Sequence, residues 1–444
     1  MAYDIIVGRN EADKKKFGDQ ATVLIGKSYV KMGRTTSLSN RLFLDVVRSH
    51  VVLVAGKRGG GKSYTLGVIS EGICNLPEDV AKNLAVMIFD TMGIFWTMKY
   101  PNEKDADLLK EWDMKPERLD KVKIYVPKGM YQSYKDQGIP VDFSFSLKPS
   151  DLMPDDWKLT FGLDQNDPLA IAIEKVVLDF IEAENMDYDI DDIVNAIDKD
   201  EDTAIDVKNA AKNRFRAAKG WGLFDKEGTN VSEMIEGGKV SIVDLSAYTV
   251  GTGGWGVKSL VTGLLSKQIF IQRTIERKKE EVEAINRGYS YLGSDEEYQK
   301  ERKPMIWMVI DEAHEFLPDQ GKTAASDALL TILREGRQPG VSTILATQQP
   351  GKIHKDVMTQ TDLVISHRVT ARFDIEALNS MMQSYMTSSL VAQLNNLPRE
   401  KGAALILDDN SERIYPMRVR PRFTWHGGEA PTAIPAKKKL DLGL

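Results

Sequence analysis

At 444 residues the chain exceeds what one ordinary hydrophobic core encloses, so a large domain with additions, or two to three units, is expected. The formal net charge of −6 excludes a generally basic protein and confines any nucleic-acid contact to a local lining. No apolar run approaches the ~20 residues that span a bilayer, and the single cysteine, Cys74, excludes an internal disulfide and points to a reducing compartment.

The chain opens on MAYDIIVGRNEADKKKF, with acids and lysines where a signal peptide needs an apolar stretch, so a cytoplasmic protein without membrane contact is expected. Residues 1–49 carry the β-like pieces DIIVG, ATVLIGKSYVKMG and RLFLDVV, with Gly26 and Gly33 at turn positions, and predict a small N-terminal β-rich module. From His50 the pattern changes to strand, glycine loop, helix. VVLVAG is a continuous apolar run, and the helix after Lys62 carries Leu66, Ile69, Ile73 and Leu76 before Pro77 ends it. LAVMIFD follows, closing on Asp90, and then VKIYVP, so residues 50–148 form the first part of an α/β core.

Over 149–238 the alternation stops. PLAIAIEKVVLDFIEAE and TAIDVKNAAKNRFRAAKG predict a helical insertion, acidic in its middle (DYDIDDIVNAIDKDED) and basic towards its end (Lys208, Lys212, Arg214, Arg216, Lys219). Two readings stay open for the basic helix: a solvated face, or a nucleic-acid or subunit contact. Alternation resumes over 239–409 with KVSIVDLS, MIWMVIDE, VSTILATQQ and DLVISHRV as buried strands, and VKSLVTGLLSKQIFIQRTIERKKEE and SDALLTILREGR as helices. Strands that are apolar throughout and alternate with helices predict an α/β sheet covered on both faces. Residues 410–444 read as an extended C-terminal arm and tail.

The chemistry concentrates at strand ends. Gly56-Lys57-Arg58-Gly59-Gly60-Gly61-Lys62-Ser63 fits G-x-x-x-x-G-K-[ST] in full, with Tyr64 next in line. Glycines let successive backbone N–H groups point at one anion, Lys62 reaches the β- and γ-phosphates of ATP, and the Ser63 hydroxyl ligates Mg2+. Asp311 and Glu312 end a buried strand: Asp311 would hold the metal shell and Glu312 would act as general base on the attacking water. A glutamate here, where GTPase switches place glutamine, favours an ATP-driven motor. Asp90, Gln348 and Gln349 also close strands, and in a parallel sheet such ends converge on the ligand. Gln348 is placed to sense the γ-phosphate or bond the lytic water. Arg334 and Arg337 end a helix; either could be an arginine supplied to a neighbour's site, or a surface cation.

The order of glycine loop, Asp90 strand, GGKVSIVDLS, MVIDEAHEFLP, LREGRQPGVSTILATQQP and RPRFTWHGG resembles the HerA branch of the HerA/FtsK ATPases. The resemblance implies a RecA-like P-loop NTPase core, assembled as a hexameric ring that pumps double-stranded DNA by ATP hydrolysis. It further implies a nuclease partner of the NurA type, a role in DNA repair or antiviral defence, and a C-terminal arm that braces the next subunit. Lys208–Lys219 and Arg273–Lys279 are the candidate pore linings. Two alternatives remain: a nucleotide-controlled oligomeric scaffold for an effector nuclease, and a VirB4-like secretion or packaging ATPase.

Overall fold

A computed structural model describes residues 3–32, 35–249, 254–289, 303–380 and 387–429. Its organising element is one 13-stranded sheet. In chain order the strands are β1 (Ile5–Val7), β2 (Thr22–Met32), β3 (Thr35–Asp45), β4 (Val51–Ala55), β5 (Leu84–Asp90), β6 (Val122–Pro127) and β7 (Phe143–Phe145). There follow β8 (Val240–Asp244), β9 (Met305–Ile310), β10 (Val341–Thr347), β11 (Leu363–His367), β12 (Ala403–Asp408) and β13 (Arg413–Val419). Their spatial order is β1-β3-β2-β13-β12-β11-β4-β10-β9-β5-β8-β6-β7. From β11 to β7 every neighbouring pair is parallel, the arrangement that apolar runs buried on both faces predict. The protein is therefore mixed α/β, built on a sheet that is mainly parallel.

Side chains on these strands alternate between two cores, because successive residues point to opposite faces. On β9, Ile306, Met308 and Ile310 face one layer while Trp307 and Val309 face the other. Helices Pro154–Phe161, Pro168–Glu182, Ile190–Lys199 and Ile205–Lys219 join the first layer, together with Val257, Leu260, Val261, Leu264 and Leu265 of the long helix Gly254–Tyr289. The second layer is closed by helix Lys62–Cys74 through Leu66, Ile69 and Ile73. Cys74 is buried there, its thiol pushed up to about 12 by burial, so it acts as a small apolar side chain. Among the described residues no helix is long and apolar enough to cross a membrane.

Both ends of the chain join the sheet. The β2–β3 hairpin pairs with β13, and β13 pairs with β12. Of the two glycines expected at turns, Gly33 lies outside the described residues and Gly26 lies inside β2 at a register shift. A Cβ there would sit 2.3 Å from the Arg418 carbonyl oxygen, so only glycine lets β2 and β13 close. The segment expected as an extended arm is instead β13 followed by a docked stretch, Arg420–Thr424, buried against helix Lys62–Cys74 of the same chain. Residues 430–444 lie outside the described residues.

The acidic and basic halves of the helical region neutralise each other. Lys212 pairs with Asp198, Lys219 with Asp191, and Lys208 donates to the Asp198 carbonyl at 3.2 Å. Of the basic side chains named above, Arg214 and Arg216 remain exposed and out of these pairs. The solvated-face reading fits this helix better than a pore lining.

A buried ionic knot ties the N-terminal strands to the start of β4. His50 Nδ1 lies 2.6 Å from Asp362 Oδ2 and its Nε2 lies 3.3 Å from Asp45 Oδ2, while the buried Arg9 guanidinium also pairs with Asp45. Burial pushes the imidazole pKa down, but the hydrogen bonds to Asp362 and Asp45 outweigh it and raise it to about 9. A raised folded value means the contribution is fully present below the unfolded value of 6.5 and is lost as pH climbs through 9. Wild-type thermal stability should therefore fall across that window, and the fall should be largely absent in His50→Gln. A wild-type melting temperature that is flat across the window while His50→Gln melts equally high would remove the knot from the account.

Candidate nucleotide site

β4 delivers the glycine loop to the carboxyl edge of the sheet, and helix Lys62–Cys74 carries the chain away. Gly59 and Gly61 take φ of 72° and 107°, left-handed values that a β-carbon disfavours. The Gly60 N–H donates to the Lys57 carbonyl at 2.9 Å and folds the loop onto itself. Lys57, Arg58 and Gly59 form the exposed tip, and space beside Gly59 is open to beyond 4 Å. Such a loop at a helix N-terminus has the geometry that holds phosphate.

Lys62 is buried below the tip, its Nζ 3.4 Å from the Lys57 carbonyl. Burial holds its pKa below the usual lysine range, opposed by the carboxylates of Glu312 and Asp311. Ser63 donates its hydroxyl hydrogen to Asp311 Oδ2 at 2.5 Å across the gap between β4 and β9. Burial raises the Asp311 pKa, while the Ser63 bond and the Lys62 charge work against it. A hydroxyl and a carboxylate side by side are hard oxygen donors, the set magnesium takes alongside nucleotide phosphates. The residues present therefore fit Mg2+-ATP.

Glu312 follows in the left-handed conformation, φ 53°, with its N–H bonded to Asp311 Oδ1 at 2.9 Å. Gln348, just past β10, donates from Nε2 to Glu312 Oε1. Glu312 Oε2 is buried without a hydrogen-bond partner among the described residues. His314 Nδ1 stands 3.6 Å from it, held by Thr347 Oγ1 at 3.1 Å. The structure thus brings together Lys62, Ser63, Asp311, Glu312 and Gln348.

Other candidates are engaged elsewhere. Asp90 spends both oxygens on its own turn, accepting from the amides of Met92, Gly93 and Phe95, and burial next to Asp244 raises its pKa to about 7. The Tyr64 hydroxyl accepts the Arg422 amide at 2.7 Å and its ring packs edge-on to His426, so it anchors the C-terminal stretch. The backbone N–H of Gln349 donates to Thr347 Oγ1 at 3.0 Å, which leaves the residue outside the cluster around Glu312. Arg334 is bound to Asp356, whereas Arg337 is exposed with no side-chain partner among the described residues. In the second basic run Arg273 is buried on the carbonyls of Pro339 and Lys303, Arg277 pairs with Glu280 and Glu281, and Lys279 with Glu276.

Three residues escaped the sequence reading. His314 contacts Thr347 at the end of β10, His367 lies under the glycine loop, and Glu71 anchors Arg420 and Arg422 to the loop's helix. His367 was visible only as a polar residue at a strand end, and nothing in the spacing of Glu71 marks it.

A glycine loop and a paired Ser–Asp on a parallel sheet define the class of phosphate-loop NTPase folds. VirB4 of Thermoanaerobacter pseudethanolicus shares that fold, with a TM-score of 0.53 at 12% identity over 91% of this chain and 98% of that one. The pattern of the family described as "Helicase HerA, central domain" matches residues 30–269, and the chain belongs to this family. A protein of Methanocaldococcus jannaschii named "Probable DNA double-strand break repair helicase HerA" is 33% identical over 144 residues, 31% of this chain and 27% of the relative. The Pyrococcus furiosus "DNA double-strand break repair helicase HerA" is 25% identical over 148 residues, 32% of this chain and 26% of the relative. The match spans about a quarter of the length of either relative.

Proposed function

We propose that the protein is a Mg2+-dependent ATPase that assembles as a ring, expected to hold six copies, and moves double-stranded DNA. The observation that carries the reading is Glu312: one oxygen fixed by Gln348, the other without a hydrogen bond among the described residues and 3.6 Å from His314 Nδ1, beside a lysine and a Ser–Asp pair. A carboxylate oxygen that keeps its hydrogen-bonding capacity at that place is what a water-activating base requires. Lys62 grips the β- and γ-phosphates, and the loop amides orient them. Ser63 and Asp311 would hold magnesium, which when bound neutralises charge on the phosphates. Glu312 accepts the water's proton at Oε2 while Gln348 keeps the carboxylate from rotating. The name shared by the two relatives supports duplex DNA as the polymer moved and repair as the setting; a nuclease partner of the NurA type and a defence role belong to the same proposal.

ATP turnover should rise on adding linear duplex DNA at low salt, where phosphate contacts are strongest. Turnover indifferent to DNA under those conditions would sink the motor reading. Of the two candidate arginines, Arg337 is the one free to enter a neighbouring protomer's site, since Arg334 is held by Asp356. Mixing Arg337→Ala subunits with Lys62→Ala subunits should restore activity at the mixed seams, while Arg334→Ala alone should retain most turnover. Mixtures that stay dead, or an inactive Arg334→Ala, would reverse the assignment.

The scaffold reading draws on a specific observation: both basic runs suggested as pore linings are largely paired within the chain. Displacement of a protein roadblock from DNA separates the two. A pump clears the block and a scaffold leaves it.

A further inference from the structure

His367 ends β11 directly beneath the glycine loop, and the chemistry described above makes no use of it. Its ring is fully buried. Nε2 lies 2.8 Å from Thr65 Oγ1, in the first turn of the helix that carries Lys62 and Ser63. Nδ1 lies 3.2 Å from the Ala403 carbonyl oxygen on β12. A carbonyl oxygen only accepts, so in the neutral ring Nδ1 carries the hydrogen and Nε2 accepts from the Thr65 hydroxyl. Thr65 Oγ1 also lies 3.0 Å from the Gly61 carbonyl, and its one hydrogen cannot serve both; directed at the shorter contact to Nε2, it leaves that carbonyl with the Thr65 amide, which donates to it at 2.9 Å. Burial, reinforced by the Lys62 charge and opposed by the Ala403 bond, lowers the imidazole pKa to about 4, which keeps the ring neutral.

The loop is folded around this ring. A Cβ on Gly56 would lie 2.8 Å from His367 Cβ, and one on Gly61 would lie 3.2 Å from Cε1. The Gly56 contact is with the β-carbon that any side chain at position 367 would carry, whereas the tight contact at Gly61 is with the imidazole itself, at a residue that already needs glycine for its φ of 107°. An apolar side chain could fill the same volume. Only a flat ring with nitrogens on two edges ties the helix start and β12 together at once.

We propose that His367 is a positioning residue for triphosphate binding: the imidazole seats Gly61 at the end of the loop, and its bond to Thr65 fixes the turn from which Lys62 and Ser63 reach the phosphates. The proposal rests on the reading of the loop as an ATP site.

The test measures affinity for β,γ-imido-ATP with magnesium, and thermal unfolding without nucleotide, in the full chain. His367→Asn keeps a donor towards Ala403 but cannot reach Thr65, whereas His367→Gln places an acceptor near the Nε2 position. Thr65→Val removes the hydroxyl without changing shape. His367→Asn and Thr65→Val should each weaken the analogue by about tenfold, the effect of one buried hydrogen bond. His367→Gln should recover most of that loss, and the Asn/Val double variant should be no weaker than either single one. Losses that add, a glutamine no better than asparagine, or wild-type affinity in both single variants would overturn the role of His367. A wild-type protein that does not bind the analogue would overturn the nucleotide reading itself, and this proposal with it. Should the asparagine variant fail to fold, Thr65→Val alone still decides between loss and no loss.

Discussion

Glu312→Gln should cut ATP turnover by about 10²–10⁴-fold, the range that general-base catalysis supplies, while nucleotide binding stays near wild type. Glutamine matches the size of the side chain and can still accept from Gln348 through its amide oxygen. It cannot take a proton from water, and its NH2 group would occupy the position now held by the unpartnered Oε2. The backbone argues for the same residue. A left-handed glutamate costs about 1–3 kcal/mol and persists only where its surroundings impose it. Here the bond from its own N–H to Asp311 Oδ1 helps to impose it. Phosphate release and analogue binding measured on one preparation check the claim. A variant that keeps more than about a tenth of the wild-type rate would place the base elsewhere.

Glu71→Ala should destabilise the protein by about 3–5 kcal/mol, the range seen when one partner of a buried ion pair is removed. Glu71 is fully buried in helix Lys62–Cys74. Its Oε1 takes Arg420 at 2.6 Å and the Phe423 amide at 3.1 Å; its Oε2 takes the Thr424 hydroxyl at 2.5 Å and the Thr424 amide at 3.2 Å. Arg422 stands 3.6 Å away, buried deeply enough that its pKa is lowered. Without the carboxylate, two guanidinium charges and two amides lose their common acceptor. Gly67 shows how tightly this stretch is seated, since a Cβ there would fall 2.4 Å from Arg422 Nη1. Denaturant unfolding of Glu71→Ala measures the loss, and Glu71→Gln, which keeps acceptor atoms but not charge, should fall between. A loss below about 1 kcal/mol in the alanine variant would mean that these arginines find solvent or other acceptors.

Much of the parallel sheet could be read from the chain, because strands buried on both faces must be apolar along their whole length. For the same reason the polar residues that end those strands announced themselves, and Lys62, Ser63, Asp311, Glu312 and Gln348 do converge. What stayed hidden depends on partners far away in sequence. In the β12–β13 hairpin AALILD is apolar, but RIYPMRV carries Pro416 and two arginines that argue against a strand, and the pairing of β13 with β2 joins segments far apart in the chain. Glu71 reaches Arg420 across 349 positions, and no local pattern encodes such a meeting. Arg334 and Arg337 are equivalent as letters. Asp356, 22 positions beyond Arg334, is what separates them.

The register of β2 against β13 has a practical outcome for anyone cutting the gene. A fragment beginning at His50 would keep every residue of the nucleotide site, yet it would strip β13 of its outer neighbour and bare a row of unpaired N–H and C=O groups. It would also release Asp362 and His50 from Asp45 and Arg9. Such a fragment offers a sticky flank to its own kind, and clumping, not a minimal motor, is what that geometry leads to.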